Sequence, residues 1–172
     1  MVSVCQPTRG CKGVGVTDAF SLPIVPRYAE VDQQGVVFNG HYLTWFDEAS
    51  TAFFDYLGLP FTEFAAWGLD VQVVHADVDF LAPVRWRDAV RVETRCAATG
   101  TTSFTLRFDV LRRRRDGADV VAVRGRNVYV VVSTDDWTKR EIPTGLRAAL
   151  TSVAGQGRNA VDDGVEKGTV TP

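Results

Sequence analysis

Residues 28–50 read YAEVDQQGVVFNGHYLTWFDEAS, a stretch in which a turn is followed by a long helix. The letters DQQG are a turn signal, and the apolar triplet VVF precedes an asparagine that can cap a helix. Apolar side chains then recur at helical spacing until Gly58 and Pro60, which are expected to end the helix. This apolar stripe consists of Tyr42, Trp45, Phe46, Ala49, Phe53, Tyr56 and Leu57. Its width predicts a helix that is well buried along one face.

Strand-like segments lie on both sides of this helix. Residues 24–31 are predicted as a strand, with Pro23 and Pro26 indicating an edge position or an irregular start. A short helix is predicted within residues 61–68, and another within residues 143–150. Between them, alternating or continuous apolar runs predict four strands, over residues 71–80, 89–97, 104–110 and 120–132. The order favours an α+β domain in which one antiparallel five-stranded sheet wraps around one long central helix.

Length and composition limit the classes of protein that this chain can be. Its 172 residues suit a single domain, and its net charge of -2 offers no basic field for a nucleic-acid partner. No apolar run approaches the roughly 20 residues that span a bilayer, so no membrane partner is expected. The first residues lack an apolar signal segment, which makes the cytoplasm the expected location. We expect a flexible arm over residues 1–20, one domain over residues 21–150 and a disordered tail over residues 151–172.

Few residues of this chain suit metal or cofactor chemistry. The three cysteines and two histidines do not have the spacing of a zinc site, and Cys96, in a strand-like run, is expected to be a buried thiol. No glycine-rich dinucleotide motif, P-loop or nucleophile-elbow motif is present. We therefore expect no metal and no cofactor, and either a cofactor-free enzyme or a binding protein.

Three motifs together carry a resemblance to a known family. The first is the stretch quoted above, with an Asp, two spacers, a Gly, an apolar triplet, a variable triplet, and a Tyr that opens an amphipathic helix. The second, residues 77–93, reads DVDFLAPVRWRDAVRVE, and contains an aromatic-x-x-Pro strand end and an Asp before the next strand. The third begins at Ser103-Phe104 and leads through a valine-rich strand to Ile142-Pro143. In this order the motifs resemble the 4-hydroxybenzoyl-CoA thioesterase-like acyl-CoA thioesterases, which have the hotdog fold.

Asp32 is the residue that this resemblance marks as the catalytic carboxylate. A carboxylate can attack a thioester carbonyl as nucleophile or can activate a water as general base. The alternative is a turn aspartate whose side chain hydrogen-bonds its own backbone. The helix-borne carboxylates Asp47 and Glu48 are second candidates for the base, because other hotdog thioesterases use a helix residue.

The start of the long helix offers donors for a developing oxyanion. Unpaired backbone N–H groups point outward there, and the helix dipole favours negative charge. The resemblance implies that an amide of the variable triplet has this role, with Asn39 as first choice and Gly40 as second. The side chain of Asn39 could also act as a simple helix cap.

Other residues are expected to contact the substrate. The acyl group is expected to enter a tunnel between two protomers that is lined by Val37, Phe38, Val73 and Val74. Further substrate contacts are expected from His41, Tyr42 and His75. The phosphates of CoA need arginines, for which Arg124 and Arg126 are the candidates, because the family's basic residues before the Ser-Phe motif are missing here.

The sequence therefore predicts an acyl-CoA thioesterase that cleaves an aliphatic or aromatic acyl-CoA to free acid and CoA. The resemblance implies a homodimer or homotetramer with active sites between protomers. Two alternatives remain open, a thioesterase acting on acyl carrier protein and a hotdog protein that binds acyl thioesters without hydrolysing them.

Overall fold

The computed structural model describes residues 20–153. These residues form five strands and three helices, with a 3-10 turn at Tyr28–Glu30. The strands are β1 (Phe20–Ile24), β2 (Leu69–Phe80), β3 (Val90–Thr99), β4 (Ser103–Arg113) and β5 (Asp119–Ser133), and the helices are α1 (His41–Tyr56), α2 (Phe61–Ala66) and α3 (Thr144–Val153). The predicted arm and tail lie outside the described residues, except that Phe20 begins β1 and residues 151–153 end α3.

All five strands form one antiparallel sheet in the order β1-β3-β4-β5-β2. In β3 the side chains alternate, with Val90, Val92, Thr94 and Cys96 buried and the intervening residues half-buried. Such alternation is typical of a sheet with one face on the core and one facing solvent. The α+β architecture of a central helix on an antiparallel sheet is confirmed, and Cys96 is a buried free thiol as predicted.

Helix α1 packs its apolar side against the inner face of this sheet. Its first three turns bury the predicted aromatic residues, and Phe46 stacks on Phe108 of β4 with ring centroids 4.7 Å apart. At its end the prediction is wrong, because Tyr56 is 57% exposed and Phe54 is buried instead. The ring of Phe54 meets the rings of Phe61 and Phe64 of α2, so a neighbouring helix decides which face of α1 is covered there.

The strand predicted over residues 24–31 is also wrong. Strand β1 ends at Ile24, and the chain forms the 3-10 turn before Val31 makes an isolated bridge to Val37. Pro26 has no N–H to give to a ladder, and the carboxylate of Glu30 binds the backbone N–H of Arg27 instead. Local hydrogen bonding therefore replaces sheet pairing in this segment.

Strand β2 forms one edge of the sheet. From Val73 onward almost all its side chains are exposed, on both faces of the strand. The pairing with β5 shifts between Val73 and His75, which makes Val74 the extra residue of a bulge. Val73 and Val74 are 49% and 58% exposed, so within residues 20–153 two exposed valines lie on an edge strand that has no further partner strand. Within residues 20–153, none of the helices has the length and apolar composition needed to cross a membrane.

Candidate active site

A tight turn places Asp32 in front of the start of α1. The backbone N–H of Asp32 donates to the carbonyl of Val36 at 2.8 Å, and the N–H of Gly35 donates to the carbonyl of Asp32 at 2.9 Å. Gly35 has a φ of 76°, in the left-handed region that favours glycine. The N–H of Phe38 donates to the carbonyl of Glu30, so residues 30–32 and 36–38 run side by side. We name residues 30–38 the Asp32 turn.

The carboxylate of Asp32 stabilises this turn with one of its oxygens. Its Oδ1 accepts the N–H of Gln34 at 2.8 Å and lies 3.5 Å from the N–H of Val36. Within residues 20–153, no hydrogen bond reaches its other oxygen, Oδ2. Asp32 is half-buried. The alternative of a turn aspartate is therefore present in the structure, and it leaves Oδ2 available for chemistry.

The amides of Asn39 and Gly40 lie where α1 begins. The N–H groups of His41 and Tyr42 already point back to the carbonyls of Phe38 and Asn39. For the amides of Asn39 and Gly40, no backbone acceptor is found within the described part of the chain. Gly40 is the N-cap, and no side chain caps the helix, so Asn39 does not act as the expected side-chain cap.

Sequence reasoning missed Glu30, a buried carboxylate two residues before Asp32. Its side chain is 3% exposed and accepts hydrogen bonds from the Arg27 backbone, the Arg27 guanidinium and Trp45 Nε1. Burial raises the pKa of Glu30, but these bonds to Arg27 and Trp45 outweigh burial and lower the pKa below its ordinary value. Glu30 thus connects the Asp32 turn to Arg27, in the segment after β1, and to Trp45 of α1. The one sequence signal was an Arg and a Glu three residues apart, the spacing of a capping box.

Tyr42 is buried behind the Asp32 turn. Its ring meets Trp45 and Phe80 edge to face. Burial raises the pKa of Tyr42 to about 12, with a further contribution from the charge of Asp32 and an opposing backbone hydrogen bond at Val84. The Tyr42 hydroxyl therefore keeps its proton well above neutral pH.

The residues predicted to line an acyl tunnel divide into two groups. Val37 is a core residue, with its N–H bonded to the carbonyl of Val84, so its side chain is unavailable to a tunnel in this chain alone. Phe38 is half-exposed, and its ring meets the His41 ring edge-on with centroids 6.0 Å apart. Both lie at the start of α1, whereas Val73, Val74 and His75 lie along the exposed edge strand.

His75 is paired on the outer side of this edge. Its Nε2 lies 2.9 Å from Asp77 Oδ1, and Asp77 also binds the guanidinium of Arg126. These bonds from Arg126 and His75 lower the pKa of Asp77. The structure does not bring His75 to Asp32 within one chain.

The second candidate carboxylates, Asp47 and Glu48, lie on the exposed side of α1. The carbonyl of Asp47 accepts the hydroxyl of Ser50 at 2.9 Å. The side chain of Ser50 also lies near that of Tyr129, whose hydroxyl accepts a hydrogen bond from Asn127 Nδ2 at 3.3 Å. This buried chain of polar groups leads from α1 to β5 and leaves Asn127 Oδ1 without a partner in residues 20–153.

Arg124 and Arg126 lie on the sheet face that points away from α1. Gly125, between them, faces the ring of Phe46, so its neighbours in the strand point to the opposite side. Arg124 is 3.5 Å from Asp109, and Arg126 is paired with Asp77. A phosphate bound to either arginine would compete with a carboxylate. In residues 20–153, no three His, Cys, Asp or Glu side chains cluster closely enough to hold a metal ion.

Comparison with known proteins shows the family of this chain. The family model described as the thioesterase-like superfamily matches residues 26–150, which contain the Asp32 turn, α1 and the whole of β2 to β5. The chain belongs to this superfamily. A Bacillus subtilis (strain 168) member named "Putative acyl-CoA thioesterase YneP" is 31% identical over 68 residues. That match covers 40% of this chain and 49% of the relative, so it spans about half of the relative's length.

Solved structures of superfamily members have the same fold. A gentisyl-coenzyme A thioesterase, BH1999, is 25% identical with a TM-score of 0.67, over 76% of this chain and 99% of that one. A 4-hydroxybenzoyl-CoA thioesterase mutant, solved with 4-hydroxybenzoyl-CoA, is 21% identical with a TM-score of 0.71, over 77% and 98%. The fold of this thioesterase-like protein is therefore the hotdog fold, and the predicted resemblance is confirmed.

Proposed function

We propose that this protein is an acyl-CoA thioesterase in which Asp32 is the catalytic carboxylate. The observation that carries the proposal is that, among residues 20–153, Asp32 Oδ2 accepts no hydrogen bond and the amides of Asn39 and Gly40 at the start of α1 have no backbone acceptor. An amide donor aimed at a thioester carbonyl stabilises the oxyanion that forms when the carbonyl is attacked. The relatives named as acyl-CoA thioesterases support CoA thioesters as substrates.

Two mechanisms fit this arrangement. As nucleophile, Asp32 Oδ2 attacks the thioester carbon, the carbon–sulfur bond breaks, and water hydrolyses the resulting mixed anhydride. As general base, Asp32 takes a proton from the water that attacks the same carbon, and the CoA thiolate leaves and is protonated. Trapping with hydroxylamine distinguishes them, since only the anhydride gives a hydroxamate at Asp32 that mass spectrometry detects.

We propose a homodimer formed through β2, with the acyl group bound between protomers. The supporting observation is that, within residues 20–153, β2 is an edge strand without a further partner strand and carries exposed Val73 and Val74, since exposed apolar side chains on a free strand edge favour pairing with another chain. In an antiparallel β2–β2 pair, the Phe80 end of one strand lies near the Val73 end of the other. The valines of one protomer then lie near the Asp32 turn of its partner, because Phe80 contacts Tyr42.

The test is thiol release from a panel of aliphatic and aromatic acyl-CoAs by the full chain and its Asp32→Asn variant. We expect a loss of kcat of about a hundredfold or more in the variant. Asp116→Asn is the matched control, because Asp116 Oδ1 accepts the N–H of Ala118 two residues later, as Asp32 does for Gln34.

The outcomes separate the alternatives. Absence of wild-type turnover on every acyl-CoA, together with turnover of acyl carrier protein thioesters, would favour the carrier-protein enzyme. Binding without turnover on either would favour a non-catalytic acyl-thioester binder. Full activity of Asp32→Asn would move the catalytic role to Asp47 or Glu48, to be tested by Asp47→Asn and Glu48→Gln.

A further inference from the structure

We propose that Tyr28, Arg85, Trp86 and Arg87 form the binding site for the adenosine phosphate part of CoA. We name these four residues the Trp86 cluster. The inference rests on the proposed acyl-CoA substrate and names the residues that would hold its nucleotide end. None of the four was a candidate in the sequence analysis.

Two exposed aromatic side chains form the apolar part of the cluster. Tyr28 is 76% exposed and Trp86 is 46% exposed, and their ring centroids are 5.5 Å apart at an interplanar angle of 74°. Neither ring belongs to the buried core, so packing of the core does not account for these two aromatic side chains. A purine base can stack on such rings, because every base has a π-face.

Two guanidinium groups accompany these rings. In residues 20–153 no carboxylate lies within ion-pair distance of Arg85 or Arg87, whereas Arg91, Arg95 and Arg126 each have at least one. The carboxylate of Asp88 is engaged, because it accepts the backbone N–H of Arg85 at 2.8 Å. An arginine without a carboxylate partner is available to bind phosphate oxygens in a bidentate manner.

Arg87 is held beside the aromatic pair. Its Cζ lies 4.1 Å from the centroid of the Trp86 ring, and its backbone has a φ of 67°, a conformation that costs energy for a residue other than glycine. The loop therefore presents a ring and a positive charge as one unit. The adenine base and the phosphates of one nucleotide could therefore contact the Trp86 ring and the Arg87 guanidinium at the same time.

The cluster is joined to the Asp32 turn. Arg85 Nη1 lies 3.3 Å from the carbonyl of Gly35, and the carbonyl of Val84 accepts the N–H of Val37. The loop between β2 and β3 thus lies against the turn that carries the proposed catalytic carboxylate. In the proposed complex, the pantetheine arm of a CoA thioester bound at Asp32 extends from this turn, so that its nucleotide reaches the Trp86 cluster. Arg124 and Arg126, by contrast, lie on the far face of the sheet in ion pairs.

The test compares one acyl group on two carriers, CoA and pantetheine, since pantetheine lacks the nucleotide. In Trp86→Ala and Arg87→Ala we expect KM for acyl-CoA to rise about tenfold, the effect of losing one favourable contact. The kcat/KM for acyl-pantetheine should stay at the wild-type value. Trp137→Ala and Arg115→Ala are the matched controls, because Trp137 is also exposed and Arg115 has no carboxylate partner in residues 20–153.

A binding measurement tests the site without catalysis. Adenosine 3′,5′-bisphosphate is titrated into the full chain by calorimetry, and we expect saturable binding that weakens about tenfold in Arg87→Ala and weakens with added salt. Equal losses on acyl-CoA and acyl-pantetheine would overturn the proposal in favour of a structural role. Unchanged KM for acyl-CoA and unchanged bisphosphate binding in both variants would also overturn it. So would a loss of activity in these variants that is seen only with acyl carrier protein thioesters. If no acyl thioester is hydrolysed, the proposed function fails, while the titration still decides whether the Trp86 cluster binds a nucleotide.

Discussion

The ring of Phe46 lies directly over Gly125, so close that a Cβ at residue 125 would sit 2.3 Å from Phe46 Cε2. No side chain fits this gap while Phe46 remains stacked on Phe108. The contact sets the distance between α1 and β5, and so the depth at which the helix lies on the sheet.

Gly125→Ala is therefore expected to destabilise the protein by about 2 to 3 kcal/mol, because the buried Phe46 ring must move. Urea unfolding at fixed protein concentration measures the change. Gly145→Ala in α3 is the control, since nothing lies within 4 Å of its added Cβ, and it should be neutral or stabilising by up to about 1 kcal/mol. An unchanged free energy of unfolding for Gly125→Ala would contradict the close contact.

Glu30→Gln is expected to lower stability at neutral pH by about 2 kcal/mol and to reduce the loss of stability in acid. The pKa of Glu30 lies below its ordinary value of 4.5, so its contribution is present above pH 4.5 and is lost as the pH falls through the lower, folded-state value. Unfolding free energies measured down the acid range test this. Glu63→Gln, an exposed glutamate of α2, should follow the wild-type pH dependence.

Tyr42→Phe is expected to change the alkaline part of the stability profile. The pKa of Tyr42 is 10.0 in its ordinary state and about 12 when folded, so the unfolded chain loses this proton first. Wild-type stability should therefore fall between pH 10 and about pH 12. The variant should fall less steeply over the same range in chemical unfolding experiments. Identical slopes for the wild type and the variant would show that burial does not raise the pKa of Tyr42.

Val74→Arg is expected to convert the proposed dimer to monomer and to reduce activity on acyl-CoA, because a charge is placed at the β2 edge. Light scattering coupled to size exclusion measures the mass. Val25→Arg is the control, since Val25 is an exposed valine that follows β1 at the other edge of the sheet. A variant that stays dimeric would indicate an interface elsewhere.

Periodic segments of this fold are predictable from the sequence. Buried and less buried side chains alternate over residues 90–96 of β3 and 103–110 of β4, because one face of the sheet packs on α1 and the other faces solvent, and this pattern is local. The prediction for residues 24–31 was wrong because their apolar residues resemble a strand. Their structure depends instead on the hydrogen bonds that the carboxylate of Glu30 accepts. The burial of Glu30 requires Trp45, fifteen residues away, and no local pattern reports such a contact.

The candidate site was predictable in outline and less so in detail. Asp32, Asn39 and Gly40 lie on one continuous stretch, so the motif brings them together before any tertiary contact is known. Val37 and Phe38 are neighbours in the same apolar triplet, yet one is buried and the other exposed, because Val37 pairs with Val84 of a distant loop. The Trp86 cluster joins Tyr28 to a loop almost sixty residues later, a proximity that only the fold creates.

The two carboxylate oxygens of Asp32 have different roles, because Oδ1 holds the turn and Oδ2 is proposed to act on the substrate. This difference has an evolutionary consequence. An asparagine side chain also has an oxygen that can accept the N–H of Gln34, so an Asp32→Asn descendant would retain the turn and the start of α1. It would lack only the second carboxylate oxygen. If Asp32 is the catalytic carboxylate as proposed, a single substitution on this scaffold would separate a hydrolase from a receptor for intact acyl thioesters, and a duplicated gene could move from one to the other without passing through an unfolded intermediate.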